Sequence, residues 1–271
     1  MKITNFFSLA FAATFLVSCG SGSQQNTESE TAEAESVSAS SNESVEDNTL
    51  SSEEQQNGWK LLFDGSSLEH WRGVHQEKFP EQGWHVEDGM LVVEAASGAE
   101  SGNGGDIVTM DEYTDFEFEL DFKITEGANS GIKYYVTEQY NSDKSAIGLE
   151  YQILDDDVHP DAKKGNNGGG TRTVASLYDL IAAPQSKPIN PVGEWNHARI
   201  VSKDGQVEHW LNGEKVLEYD RFSEEFKEKI NNSKYKDWEG FGVWDSGHLL
   251  LQDHGNLVYY KNIKVRELPA S

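Results

Sequence analysis

The chain has 271 residues, of which 36% are hydrophobic, 11% aromatic and 25% charged, with 25 Gly and 6 Pro; those proportions suit a folded chain and exclude collagen-like or wholly disordered ones. Acidic residues number 47 against 22 basic, a net charge of -25, and no basic stripe is present. Nucleic-acid binding is therefore excluded, because its affinity comes from Lys and Arg neutralising phosphates; the single Cys excludes an intrachain disulfide and a Cys-based zinc site.

Residues 1–19 read as a secretory signal. Lys2 supplies the positive end, and an apolar stretch runs from Phe6 to Val17, broken by Ser8 and Thr14. That stretch is shorter than the roughly 20 residues of a membrane span and ordinary for a cleaved signal. It ends Leu16-Val17-Ser18-Cys19, a lipobox, which makes Cys19 the expected lipidation site. A lipid there holds a protein on a membrane, outside the cytoplasm, without a spanning helix. Residues 20–57 contain many Glu and Ser and no Lys, Arg, Phe, Trp or Tyr. They read as a self-repelling, disordered acidic tether.

Residues 58–271 read as one domain built from strands. In Phe116 to Ile124 every even position is apolar and every odd one charged, the signature of a half-buried strand. Gly131–Val136, Gly148–Leu154, Ala198–Val201, Gln206–Leu211, Lys215–Tyr219, Gly240–Val243, Leu249–Gln252 and Leu257–Arg266 read the same way. Asp204-Gly205 and Asn212-Gly213 are hairpin turns between strand runs. One short helix is expected over Ser223–Ser233, with Ser223 as its N-cap and Phe226 and Ile230 on one face. Many strands at short spacing, with no strand–helix alternation, imply an all-β fold of two packed antiparallel sheets.

Side chains alternate across a strand, so Glu150 and Gln152 point away from Leu149, Tyr151 and Ile153. Lys133 and Tyr135 likewise oppose Ile132, Tyr134 and Val136. Gln252 and His254 share a face, and His209 and Trp210 take opposite faces of their strand. If these strands are neighbours, one sheet presents a carboxylate, amides, an amine and imidazoles among aromatic rings. Amides and carboxylates bond sugar hydroxyls, and ring faces cover sugar C–H patches, so the expected partner is a carbohydrate. The run Asp155-Asp156-Asp157-Val158-His159-Pro160-Asp161-Ala162-Lys163 is the densest polar cluster and leaves the Glu150 strand directly. It leads into the glycine-rich stretch 165–170. A divalent cation held among its Asp groups is an open alternative, although no EF-hand or zinc-protease spacing is present.

Several ordered stretches together resemble the bacterial 3-keto-disaccharide hydrolase family. They are Gly58-Trp59-Lys60-Leu61-Leu62-Phe63-Asp64-Gly65, Asn129-Ser130-Gly131-Ile132-Lys133-Tyr134, the run from Gly148 to Asp156 with His159-Pro160-Asp161, Ala175 to Ile181, Gly193-Glu194-Trp195-Asn196, Val207 to Gly213, Leu251 to Gly255 and Lys261 to Arg266. The resemblance implies a concanavalin A-like jelly roll and action on glycosides oxidised at C3. It implies cleavage by elimination, with water added later to complete a net hydrolysis. It also implies a partner oxidoreductase that makes the keto sugar.

A ketone at C3 acidifies the C2 hydrogen, and the enolate formed by its removal expels the C1 substituent. Such chemistry needs a base at C2, a positive or hydrogen-bonding group at the C3 oxygen and an acid at the leaving oxygen. His159 and His254 are candidate bases near neutral pH. Glu150 is the rival base, or the acid if its surroundings raise its pKa. Lys133 or a bound cation suits the enolate. Gln152, Asp156 and Gln252 suit sugar hydroxyls, and Tyr135, Lys163, His209 and Trp210 complete the expected binding set, although the hairpin beside His209 also fits a structural role. Two other functions fit the same residues. One is a non-catalytic carbohydrate-binding jelly roll. The other is an ordinary glycosidase, which needs a second carboxylate roughly 5 to 10 Å from the first; Asp155, Asp156 and Asp253 are the candidates to pair with Glu150.

Overall fold

The computed structural model describes residues 46–96, 101–139, 146–164 and 170–269. Residues 1–45, which include the expected signal, Cys19 and most of the expected tether, and the glycine-rich run 165–169 lie outside the described residues. The elements in chain order are α1 (Ser52–Gln56), β1 (Lys60–Leu61), β2 (Trp71–Gly73), β3 (Trp84–Glu87), β4 (Met90–Val93), β5 (Ile107–Thr109), β6 (Phe116–Ile124), β7 (Asn129–Thr137), β8 (Ile147–Leu154), a 3-10 turn (Pro160–Lys163), β9 (Asn196–Lys203), β10 (Gln206–Leu211), β11 (Glu214–Asp220), α2 (Glu224–Asn231), β12 (His248–Leu251) and β13 (Val258–Glu267). The strands make two antiparallel sheets, as the all-β jelly-roll reading expects. One sheet has eight strands in the order β11-β10-β9-β6-β13-β4-β3, with β1 paired to β13. The other has five, in the order β2-β5-β12-β7-β8.

Strand β6 shows why the sheets pack. Phe116, Phe118, Leu120, Phe122 and Ile124 all face inward and are buried, while Glu119, Asp121 and Lys123 face out and remain partly exposed. Each buried Phe contributes about 2 kcal/mol of transfer free energy. Opposite them stand Ile132 and Tyr134 of β7, Leu149, Tyr151 and Ile153 of β8, and Leu249 and Leu251 of β12, all in the same core. Polar cross-links join the layers: the hydroxyls of Ser130 and Tyr260 lie 2.6 Å apart, and Tyr151 O–H donates to the Trp210 carbonyl at 3.1 Å.

Both sequence-read hairpins form. Asp204-Gly205 joins β9 to β10 and Asn212-Gly213 joins β10 to β11, each pair with positive φ at both residues. Asp88-Gly89 does the same between β3 and β4. Ser223 caps α2, its hydroxyl accepting from Phe226 N–H, and Phe226 is buried.

Three expectations are corrected. Gly240–Val243 is not a strand: Gly240 and Gly242 both have positive φ, and Phe241 and Val243 donate locally to the carbonyls of Trp238 and Gly240. The region before Tyr113 holds β1 to β5, which the alternation test missed because each has only two to four residues. Residues 46–57, expected to belong to the tether, are instead folded and include a second helix, α1. Ser51 and Glu54 form a capping box on α1. Asn48 and Asn262 exchange backbone-to-side-chain bonds of 2.6 and 2.8 Å, and Lys261 bonds Asp47 at 2.7 Å. Residues 46–57 are thus strapped to the outer face of the eight-stranded sheet by polar groups, a kind of docking that apolar content does not reveal.

Candidate active site

The outer face of the five-stranded sheet carries a polar floor. Lys133 of β7 stands opposite Glu150 of β8, and Gly131 opposite Gln152. On the other side of β7, Leu250 of β12 pairs with Lys133, and Gln252 N–H donates to the Gly131 carbonyl at 3.0 Å. Asn129 continues the β7 column by one more outward position, and His254 lies two residues past Gln252. Rows two residues apart on a strand are separated by about 7 Å. Glu150, Lys133, Gln152, Asn129 and Gln252 are all buried although all are polar. Asp106, preceding β5, lies 3.5 Å from the Lys133 ammonium and accepts Asp253 N–H at 2.9 Å.

At the Asn129 end the rings of His159 and His254 lie 6.2 Å apart and almost perpendicular. His159 caps the 3-10 turn: its Nδ1 accepts Asp161 N–H at 3.2 Å. The lone pair of Nδ1 is thereby occupied, which leaves the ring proton of the neutral imidazole on Nε2. Burial lowers the His159 pKa, and the nearby His254 lowers it further. Near neutral pH, His159 therefore offers an Nε2–H donor rather than a free base.

The segment after β8 folds back along that strand and covers its edge. Gln152 N–H donates to Ser176 O, Ala175 N–H to Gln152 O, and Tyr178 N–H to Glu150 O, at 2.9 to 3.1 Å. Arg172 ties the cover together, reaching Asp161 at 2.8 Å and Asp179 at 2.9 Å. Tyr178 O–H also donates to Asp161 at 2.8 Å. Burial acts to raise the Asp161 pKa, but these two donors hold it below the usual carboxylate value.

The structure brings together Glu150, Lys133, Gln152 and Gln252 on this floor, with His159 and His254 at its end. It removes five residues from the expected binding set. Tyr135 sits at a bulge with φ of 51°, so Tyr134 and Tyr135 both point into the core; its hydroxyl donates to Thr114 O and contacts Ser202 Oγ at 2.7 Å. One inserted residue reverses the parity of a strand. His209 is fully buried between the sheets, its Nδ1–H donating to Ala175 O at 2.9 Å and its Nε2 accepting from Tyr134 O–H at 2.8 Å. Burial pushes its pKa down to about 4. Trp210 lies on the outer face of the eight-stranded sheet, where Arg199 stacks on its ring and its Nε1–H donates to Glu208. Asp156 is committed to the cover, accepting Val174 N–H at 2.8 Å and pairing with buried Lys187 at 2.8 Å. Lys163 donates to the Asp156 carbonyl and serves the same segment.

The carboxylates proposed to pair with Glu150 in an ordinary glycosidase are taken up as well. Asp155 accepts the N–H groups of Gly127, Asp157 and Val158, and Asp253 those of Gly105 and Gly255. Among the described residues, no group of three or more His, Cys, Asp or Glu has the arrangement of a metal site. In the Asp run after β8, Asp155 and Asp156 accept backbone N–H groups, and Asp156 and Asp161 form ion pairs.

A family model of the 3-keto-alpha-glucoside-1,2-lyase-like domain matches residues 58–266. The chain belongs to this family. A 3-keto-disaccharide hydrolase of Bacteroides thetaiotaomicron is 34% identical over 290 residues, covering 97% of this chain and 98% of that protein. A crystal structure of a candidate glycosyl hydrolase from Parabacteroides distasonis superposes with a TM-score of 0.72 at 36% identity, covering 83% of this chain and 100% of that one. A second from the same organism gives 0.53 at 29% identity, covering 73% and 99%.

Within this member of the 3-keto-alpha-glucoside-1,2-lyase-like family, sequence reasoning missed three floor residues. Asn129 was legible, since it shares the parity of Lys133. Gly131 was passed over because it has no side chain to place. Asp106 carried no signal, because it precedes β5, a strand too short for periodicity to show.

Proposed function

We propose that this chain is a glycoside-cleaving enzyme acting on sugars oxidised at C3, with Glu150 as base, Lys133 as the positive group at the C3 oxygen and His159 as the donor to the leaving oxygen. The observation that carries the reading is the buried Lys133–Glu150 cross-strand pair, with an imidazole donor farther along the same floor. The proton on C2 passes to Glu150, and its electron pair forms an enolate whose negative oxygen at C3 faces Lys133. The enolate collapses back to the ketone, the C1–O bond breaks, a C1=C2 double bond forms, and the leaving oxygen, held by a hydrogen bond from His159 Nε2–H, takes the C2 proton back from Glu150 through water, which regenerates the base. Water then adds across the enone, giving net hydrolysis. Gln152, Gln252 and Asn129 suit the remaining hydroxyls, and His254 stands beside His159 at the same end of the floor.

Family membership and the 3-keto-disaccharide hydrolase named among the relatives support this reading. An ordinary two-carboxylate mechanism is disfavoured by the occupied state of Asp155, Asp156 and Asp253. An oxidoreductase that installs the C3 ketone must supply the substrate. The lipobox supports attachment by lipid at Cys19 outside the cytoplasm; Cys19→Ser is expected to shift the protein from the membrane to the soluble fraction. The deciding assay incubates the enzyme with a glucoside and with its 3-keto form. Release from the oxidised form alone is expected. Release from both marks an ordinary glycosidase, and binding without release marks a carbohydrate-binding module.

A further inference from the structure

We propose that Gly131 is a positioning residue: the side chain it lacks is the space that the Glu150 carboxylate occupies. The inference rests on the function proposed above for Glu150. Gly131 is the central cell of the polar floor, between Gln252 and Gln152 along its row and between Lys133 and Asn129 along its strand. A Cβ placed on its backbone would stand 2.7 Å from Glu150 Oε1 and 3.2 Å from Glu150 Cδ and Cγ. The carboxylate therefore leans over bare backbone, toward the middle of the floor.

Other close-packed glycines of this sheet region have a different reason to be glycine. A Cβ on Gly148 meets the Tyr134 carbonyl at 2.8 Å, and one on Gly247 meets the Tyr135 backbone at 2.4 Å. Those contacts are with main chain that cannot yield. At Gly131 the three nearest atoms all belong to the end of one flexible side chain. Its φ is not in the left-handed region, so alanine fits the backbone. Glycine inside a strand weakens it. The fold itself therefore gains nothing from glycine here, whereas the carboxylate needs the vacant position.

The test compares the wild type, Gly131→Ala, Glu150→Asp and the double variant on a 3-keto-α-glucoside with a chromogenic aryl leaving group. Thermal melting and a 13C NMR titration of the Glu150 carboxyl, assigned by its loss in Glu150→Gln, complete the set. Gly131→Ala is expected to melt no lower than wild type, to lose at least 30-fold in kcat with KM changed less than 3-fold, and to shift the Glu150 titration. Glu150→Asp, one methylene shorter, is expected to lower kcat in the wild-type background and to raise it at least 3-fold in the Gly131→Ala background. An unchanged kcat with an unmoved titration overturns the inference, as does a loss of kcat that tracks a lower melting temperature without rescue. A wild type inactive on the keto-glucoside, with the titration still shifted by Gly131→Ala, rejects the cleavage reading and upholds the positioning.

Discussion

The two sheets of this molecule each turn a row of charged and polar side chains outward, and the two rows behave oppositely. On the eight-stranded sheet each acidic residue of β6 is answered from a neighbouring strand. Glu117 binds Arg199 and Arg266, Glu119 binds Lys264 at 3.1 Å, and Asp121 accepts from His197 at 2.8 Å and Asn262 at 2.7 Å. On the five-stranded sheet the polar groups are more deeply buried, yet Gln152 Nε2, Asn129 Oδ1 and His254 Nδ1 have no hydrogen-bond partner among the described residues. Leaving a buried amide unpaired costs about 1 to 3 kcal/mol. The proposed ligand-binding role of the first face rests on this contrast between its unpaired amides and the completed acidic pairings along β6.

The largest effect expected from this contrast is on turnover. Glu150→Gln should lower kcat on the order of 10³-fold, the range of a lost general base, with little change in melting temperature. Glu117→Gln on the opposite face should leave kcat unchanged. Equal losses from the two variants would break the comparison. The next effect separates the core histidine from the site histidines. His209 has a folded pKa of about 4, below its ordinary value near 6.5. Above pH 6.5 both folded and unfolded states keep it neutral. As pH falls toward 4 only the unfolded state takes up the proton, and stability is lost, by about 3 kcal/mol across the window. His209→Gln keeps a donor for Ala175 O and an acceptor for Tyr134 O–H without titrating. Urea unfolding at pH 7 and pH 4.5 should therefore show a smaller acid loss in the variant than in wild type; equal losses would reject a neutral buried His209.

Much of the contrast was legible from parity alone. The alternation of β6 gave its buried and exposed faces, and the outward set Glu150, Gln152 and Lys133 followed from the same rule. Parity failed where one residue broke it. Tyr135 adopts a left-handed backbone that nothing in its sequence announces, and the bulge turns a residue expected on the floor into the core. Parity was also insufficient for His209 and Trp210. They do take opposite sides of β10, but β10 belongs to the other sheet, and strand order is set by long-range packing. Asp156 and Lys163 were misjudged for another reason: a polar cluster in sequence does not show whether its groups face a ligand or close their own turns.

A smaller effect tests how the opposite face is held. Glu117 is buried between two partly exposed arginines, so Glu117→Gln should cost about 1 to 2 kcal/mol in urea unfolding, screened in part by water. The smallest expected effect lies at the strap that crosses this face. Ser51 caps α1, and Glu54 both completes the capping box and pairs with Lys264. Burial raises the Glu54 pKa, but the Lys264 and Ser51 hydrogen bonds outweigh it and bring the pKa to about 2. Ser51→Ala removes one cap and should cost about 1 kcal/mol of domain stability without touching turnover. If residues 46–57 were a free tether, the same substitution would leave the unfolding curve where it was. A measurable loss makes the strap part of the domain, and unchanged turnover shows that its polar contacts serve the fold on the face away from the site.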